Sequence, residues 1–581
     1  MAAIAALFSG RRGGDLGAGG VLVLGAGVVA ALYFISAPLF TLVSSAFRGP
    51  EDLLPFEDAA VWTLDHFFEV YTSPVLYQEI IPQTLIFAIG AVAFAFFVAF
   101  TLAWLVERTD LPGRNLFFTL ILFPLLVPTL MLGIAWVFMF GPNAGWINQA
   151  IRFLLGMEGS GPFDIFSMTG LILAQGAALV PFVFLLLTAA LRSMNPSLEE
   201  ASVASGASPF TTFFRVTLPV LRPGILAPLI LAFLVAMEQF ELPLIIGLPA
   251  RINVFSIRIF FELTPNAELP IYGRAASLAL PFLGIGILLL LMYNHFIRQA
   301  DSFVTVTGKG YRPERIKLGN WKWPALAFVT FFLAFVAVLP ALVLLWTSFF
   351  GFNTPSFGAL ANLSFTPYIE LFQETRFYRA IGNTFLVAGG SAVIVTLIGV
   401  TVAWILVRTK MPGRVILDFV SFFSIAIPSV IAGLAAMLLY LSMPIGVYGT
   451  VWVLILAYSY RFAVTTRLNR AGLMQLHKEL EEASYAAGGT WITTVRRVVL
   501  PLMGPSILAS LVLLFIIGFR EFTIPLILMS EDNMVLSIIL WRLFENLELS
   551  KAAAVGILII IFVIPIIFLM RRFLLPKEGA N

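Results

Sequence analysis

Ionisable residues stand inside apolar runs of this chain at Glu238 and Glu241, and again at Arg520 and Glu521. A charge at bilayer depth is costly, and it is kept where it faces a cavity, an opposite charge or the interior of a helix bundle. The two clusters are related by position: Glu238 and Arg520, Gln239 and Glu521, and Pro243 and Pro525 are each 282 residues apart. Opposite charges at repeated positions can approach across an axis relating two copies. Glu238 and Arg520 are therefore read as a gate or pathway pair, with Glu241 and Glu521 nearby. Alternatively, all four lie at the outer interface and anchor helix ends.

Other chemistries find little support. The chain has no cysteine and three scattered histidines, His66, His295 and His477, which excludes disulfides and thiolate metal sites and leaves no ligand cluster. No nucleophile and base fall into a catalytic pattern, so no catalytic or metal-binding residue is assigned. Thr307-Gly308-Lys309-Gly310 lacks the upstream glycine and the hydroxyl after lysine that a phosphate-cradling loop needs. No cofactor is expected on this chain, and energy must come from a partner or from an ion gradient.

The second repeated feature is polar. Glu200-Ala201-Ser202, Gly206 and Val216-Thr217-Leu218-Pro219 return at the same spacing as Glu482-Ala483-Ser484, Gly488 and Val498-Val499-Leu500-Pro501, again displaced by 282 residues. Both copies are short polar islands between apolar runs, spanning about 196–219 and 478–501. In the first, Pro196 and Ser197 supply a turn and a helix start, and Leu198 to Ala204 continues as helix. Gly206 permits a reversal or a close backbone contact. A second short helix from Phe210 runs to Leu218-Pro219, where the residue before proline favours a bend. Small residues around a glycine turn make a knob suited to a groove on a partner.

The elements that carry these residues follow from composition. Of 581 residues, 60% are hydrophobic and 12% charged, with a mean hydropathy of +0.97, too little polar surface for a water-soluble globule of this size. Runs able to cross a roughly 30 Å hydrocarbon core occur at about 19–45, 80–106, 115–140, 167–191, 221–247, 275–297, 324–350, 380–407, 415–440, 446–466, 503–530 and 551–573. An all-α polytopic membrane protein of about twelve spans is expected. With both termini cytoplasmic, most of the 35 Lys and Arg fall on the cytoplasmic side, as the positive-inside rule requires. Arg11 and Arg12 precede an apolar run, Gly19 to Phe47, far longer than the roughly 7–15 residues of a signal peptide. It reads as an uncleaved first helix. No Lys/Arg-rich run interleaved with aromatics suggests a nucleic-acid partner.

The duplication extends further. Thr101 to Arg114, containing Ala103-Trp104-Leu105-Val106, matches Thr401 to Arg414 at an offset of 300, and Thr84 matches Thr384. The offset then falls by 18, which places an insertion in the first half around 141–167 with a short helix at Trp146 to Leu155. The halves are 1–300 and 324–581, two parallel six-helix repeats. A basic linker, 301–323, joins them through Lys309, Arg312, Arg315, Lys317 and Lys322.

The paired Glu-Ala-Ser and glycine loops resemble the EAA loops of binding-protein-dependent ABC importer permeases, and nearly the whole chain resembles a fused two-half permease with the type I importer fold. The wording around the motifs, with Gly310-Tyr311-Arg312-Pro313 in the linker, is similar to the ferric-iron type; fused permeases for thiamine and aminoethylphosphonate look similar too. The family more often has alanine where Ser202 and Ser484 stand, and the serines are expected to pack as alanine would. The resemblance implies that Glu200, Ala201, Gly206, Glu482, Ala483 and Gly488 couple to two ABC ATPase subunits on the cytoplasmic face, which use the ATP. It also implies a periplasmic substrate-binding protein on the outer face and a bacterial inner (plasma) membrane location. Carboxylates in the path suit a hard trivalent cation or a cationic vitamin, whereas Arg520 and Arg258 suit a phosphonate. An ion-gradient-driven secondary carrier can also have twelve spans in two halves, but it has no reason to keep two glycine-broken loops.

Overall fold

The computed structural model describes residues 17–49, 54–194, 197–264, 270–302, 315–351 and 358–574. Arg11, Arg12, Pro196, both chain ends and the linker stretch holding Thr307 to Pro313 lie outside these residues. Among the described residues the protein is all-α but for one two-residue ribbon, Arg48–Gly49 antiparallel to Val61–Trp62, and one isolated bridge, Thr109 with Ile316. Among the described residues seven helices are long and apolar enough to cross a membrane: Gly19–Ala46, Leu76–Arg108, Met168–Arg192, Phe210–Glu238, Tyr272–Phe296, Gly319–Phe350 and Thr375–Arg408. Three bent pairs raise the number to as many as 10, and Leu549–Pro565 is a shorter apolar helix.

The expected runs are interrupted where hydrophobicity alone gives no warning. The run at 446–466 begins as helix only at Val451, stops at Tyr458 and resumes as Ala463–Met474. The run at 221–247 breaks after Glu238, and that at 503–530 breaks after Arg520. Conversely, the bend expected at Leu218-Pro219 is absent. Helix continues through this proline because a π-turn, Phe213–Thr217, immediately precedes it. The same device stands before Pro82, Pro340 and Pro501, at Leu76–Ile80, Ala334–Val338 and Val495–Val499. Proline lacks an N–H and crowds the carbonyl four residues back; a widened turn gives that carbonyl room without ending the helix. In the second copy the bend comes later, at Met503, where Trp491–Leu502 and Gly504–Arg520 meet at 70°.

The chain divides into two compact units that do not follow the boundary expected between the repeats. One comprises Tyr71–Phe261 and Pro281–Phe365. In it Ile81–Arg108 packs along Met168–Ser193, which also meets Leu218–Glu238, while Leu339–Phe350 from the second half of the sequence lies on Thr129–Phe140. The other comprises Met1–Val70, Glu262–Leu280 and Thr366–Asn581. There Thr375–Arg408 contacts Ala463–Met474 and Gly504–Arg520, and Gly17–Ala46 from the first half packs on Thr375–Arg408 and Ser429–Ser442. Gly27 seats directly on Thr401. The first helix of each sequence half thus belongs to the unit built mainly from the other half. The inserted segment folds as expected, with a helix at Trp146–Leu155.

Candidate functional site

The two polar loops match element for element. Ser197–Ala204, Pro209–Thr212 and the π-turn Phe213–Thr217 reappear 282 residues on as Glu479–Ala486, Trp491–Thr494 and Val495–Val499. Gly206 and Gly488 take φ of +86° and +81°, and a Cβ at either would meet nothing within 4 Å. Of the two roles open to these glycines, the reversal is the one used: left-handed backbone, not close approach, requires them. Each turn is fixed by hydroxyls. Ser208 Oγ accepts from Thr211 N at 3.2 Å, and Thr490 Oγ1 from Thr493 N at 3.3 Å.

Ser202 and Ser484 do more than replace alanine. The Ser202 hydroxyl lies 2.9 Å from the Thr212 hydroxyl, and the Ser484 hydroxyl 2.8 Å from that of Thr494. Each bond joins the two arms of a loop across its glycine turn. An alanine there would fill the space without the clasp.

The adjacent glutamates take opposite roles. Glu200, Ala201, Gly206, Glu482, Ala483 and Gly488 are all exposed, forming the outer surface of the loops. Glu199 and Glu481, one position earlier, turn inward onto arginines that end spanning helices. Arg108 reaches Glu199 at 3.3 Å and the Leu191 carbonyl at 3.2 Å. Arg408 reaches Glu481 at 2.7 Å and the carbonyls of Leu473 and Leu476 at 3.3 and 2.9 Å. The arginines are 300 residues apart, whereas the glutamates and Leu191 with Leu473 are 282 apart, so each staple joins the two registers of the repeat. A planar guanidinium suits this task because it serves a carboxylate and carbonyls at once. In the first copy Thr217 also donates to Glu199 at 2.6 Å, and Arg192 pairs with Glu107 at 2.6 Å. Val499, Met474 and Val407 occupy the corresponding positions of the second copy.

A second focus lies at the helix breaks. Glu238 and Glu241 flank the break in the first copy; Arg520 and Glu521 stand at that in the second. The break frees backbone carbonyls, and both copies satisfy one in the same way: Ser256 donates to the Gln239 carbonyl and Ser537 to the Glu521 carbonyl, each at 2.8 Å. Thr84 and Thr384 serve the following segment, accepting from Phe255 N at 3.1 Å and Leu536 N at 2.8 Å. Gln239 donates to Glu241. Glu238 belongs to one compact unit and Arg520 to the other.

Glu521 finds its partner in its own unit. Arg461, in the interruption at 459–462, donates to Glu521 Oε2 at 2.6 Å. The same guanidinium donates to Ser429 Oγ at 2.6 Å and to the Tyr460 hydroxyl at 3.0 Å. Ser429 opens the helix after Pro428, where Arg414–Ala426 and Ser429–Ser442 meet at 110°. One arginine therefore links three interruptions of the second half, at Pro428, Tyr460 and Glu521. In the first half the equivalent positions are Leu179 and Gln239, so this charged hub is one-sided. Sequence reasoning passed over Arg461, although a cation at the end of an apolar run is itself the signal. Arg108 and Arg408 fall inside the repeated stretches 101–114 and 401–414, where spacing alone assigns them no role. Among the described residues, no three His, Cys, Asp or Glu side chains converge as a metal site.

A family model for the binding-protein-dependent transport system inner membrane component matches residues 95–302 and 395–576. The chain belongs to that family. The permease is a non-catalytic membrane subunit of an ABC importer, passing substrate from a binding protein across the membrane. It is similar to the ferric transport system permease protein FbpB of Actinobacillus pleuropneumoniae, at 26% identity over 560 residues, covering 94% of this chain and 78% of that one. It is also similar to the putative ferric transport system permease protein FbpB 1 of Haemophilus influenzae, at 26% identity over 510 residues, 87% of this chain and 77% of that one. A chain from a bacterial ABC transporter involved in the import of the acidic polysaccharide alginate aligns with 44% of the permease and 96% of its own length, at a TM-score of 0.36 and 19% identity.

Proposed function

We propose that the permease carries ferric iron across a bacterial inner membrane, receiving it from a periplasmic binding protein and powered by two ATPase subunits docked beneath the two loops. The observation that carries the coupling role is the paired construction: exposed Glu200-Ala201 and Glu482-Ala483 lie on helices whose inward neighbours Glu199 and Glu481 are stapled to spanning helices through Arg108 and Arg408. A push on either loop passes through a charge-assisted bond to the membrane. Twelve spans in two parallel six-helix repeats, 1–300 and 324–581 joined by 301–323, with both termini cytoplasmic, put both loops on the side of the ATP pool. The iron reading rests on two ferric-system relatives that match most of the chain and on Glu238, Glu241 and Glu521 at the helix breaks. In this reading Glu238 and Arg520 form a pathway pair.

ATP-dependent uptake into vesicles containing the permease, its ATPase and its binding protein, with ferric iron, thiamine and aminoethylphosphonate offered in parallel, tests the proposal. Iron-selective uptake that requires the binding protein is expected. Selective uptake of another cargo would replace the substrate and keep the importer; gradient-driven uptake without ATP would overturn the mechanism.

A further inference from the structure

The end of the linker is tied to the residue that staples the first loop. Ile316 N donates to the Arg108 carbonyl at 3.0 Å, Asp110 N donates to the Ile316 carbonyl at 3.2 Å, and Leu318 N donates to Asp110 Oδ1 at 2.9 Å. Thr109 and Ile316 thereby form a parallel bridge. Arg108 is thus held by its backbone to the linker and by its side chain to Glu199 and Leu191. Beyond the clip, Gly319–Trp321 turns the chain into Lys322–Leu333, which packs on Arg114–Leu122 of the same unit. The second copy lacks the means to repeat this. Lys410 stands 300 residues after Asp110, and an ammonium cannot accept an amide hydrogen. The Arg192–Glu107 pair and the Thr217 bond are missing there too, because Met474, Val407 and Val499 replace their partners.

We infer that Asp110 is a positioning residue, and that the linker clip it closes holds the first loop more rigidly than the second, making the two ATPase-facing loops of this fused chain mechanically unequal. Their different roles in coupling rest on the function proposed above; the difference in rigidity does not. A fused chain gains here what two separate identical subunits lack, because the linker exists once and reinforces one loop. The segment 315–318 acts through the Arg108 backbone.

Hydrogen exchange on the full-length permease in complex with its ATPase tests this, with Asp110→Ala and Asp110→Asn as variants and Lys410→Ala as the control in the other half. Asp110→Ala should speed exchange across 197–217 by about fivefold, the consequence of losing one net hydrogen bond, and leave 479–499 unchanged. Asp110→Asn keeps an acceptor and should restore protection; Lys410→Ala should alter neither loop. Unchanged exchange at 197–217 in Asp110→Ala, or equal loosening of both loops, would overturn the clip even if transport fell. Faster exchange confined to 197–217 supports the clip. Should substrate moved per ATP hydrolysed stay constant in that same variant, the clip would stand and the coupling role proposed for the loops would fall.

Discussion

Arg408→Ala is expected to abolish ATP-driven transport, with Arg108→Ala milder. The Glu481 side chain is 8% exposed and Arg408 12%, so removing the guanidinium strands a buried carboxylate. Breaking such a pair from one side costs about 3 kcal/mol, which shifts the equilibrium between held and released loop by roughly a hundredfold. The Leu473 and Leu476 carbonyls each lose a donor as well. Glu199 is better provided for: it is 21% exposed and keeps the Thr217 hydroxyl at 2.6 Å. The ranking Arg408→Ala below Arg108→Ala is therefore part of the prediction. Uptake and ATPase activity measured side by side in proteoliposomes check it. In the Arg408 variant, hydrolysis should continue without transport. The double variant Arg408→Met with Glu481→Leu should recover part of the lost stability, because no unpaired charge remains. Full transport by Arg408→Ala would remove the staple from the mechanism.

Arg461→Met should be comparably severe, but through stability. It leaves Glu521, 8% exposed, without the partner at 2.6 Å, and takes a donor from Ser429 and Tyr460 at two further interruptions. A cost of about 3–5 kcal/mol is expected, seen as a lower melting temperature of the purified permease and a lower yield in the membrane. Glu521→Gln in the Arg461→Met background should restore part of it by removing the stranded charge. Leu179, the equivalent in the first half, is the control: Leu179→Met should change little, since volume-conserving apolar swaps are tolerated. Equal melting of Arg461→Met and the parent would show that the three breaks are held by other contacts.

Much of this arrangement was legible in the sequence because duplication records spacing. The loops, the glycine turns and Thr84 with Thr384 lie at constant offsets, and the short inserted helix declares itself as the place where the offset changes. Four things were not legible. Apolar runs report burial but not backbone continuity, so the interruption at 459–462 was absorbed into a single span. Prolines read as bends because the compensating π-turns are built from ordinary apolar residues such as Ala334 to Val338. The pairing of Ser202 with Thr212, and of Ser484 with Thr494, becomes visible only once the glycine turn folds the two arms together. The exchange of first helices between the compact units is likewise a matter of tertiary packing, on which a linear repeat is silent.

The chain has no cysteine, so single thiols can be placed without altering a background. Val203 is 54% exposed on the first loop helix, and Tyr485 occupies the matching position of the second. With Val203→Cys or Tyr485→Cys in membranes containing the ATPase, a short bifunctional cross-linker should join each loop to an ATPase subunit. Capture should depend on the nucleotide state, and a thiol placed at exposed Phe153 on the inserted helix should capture none. Capture at Phe153 with none at either loop would contradict the assignment of these loops as the ATPase contact.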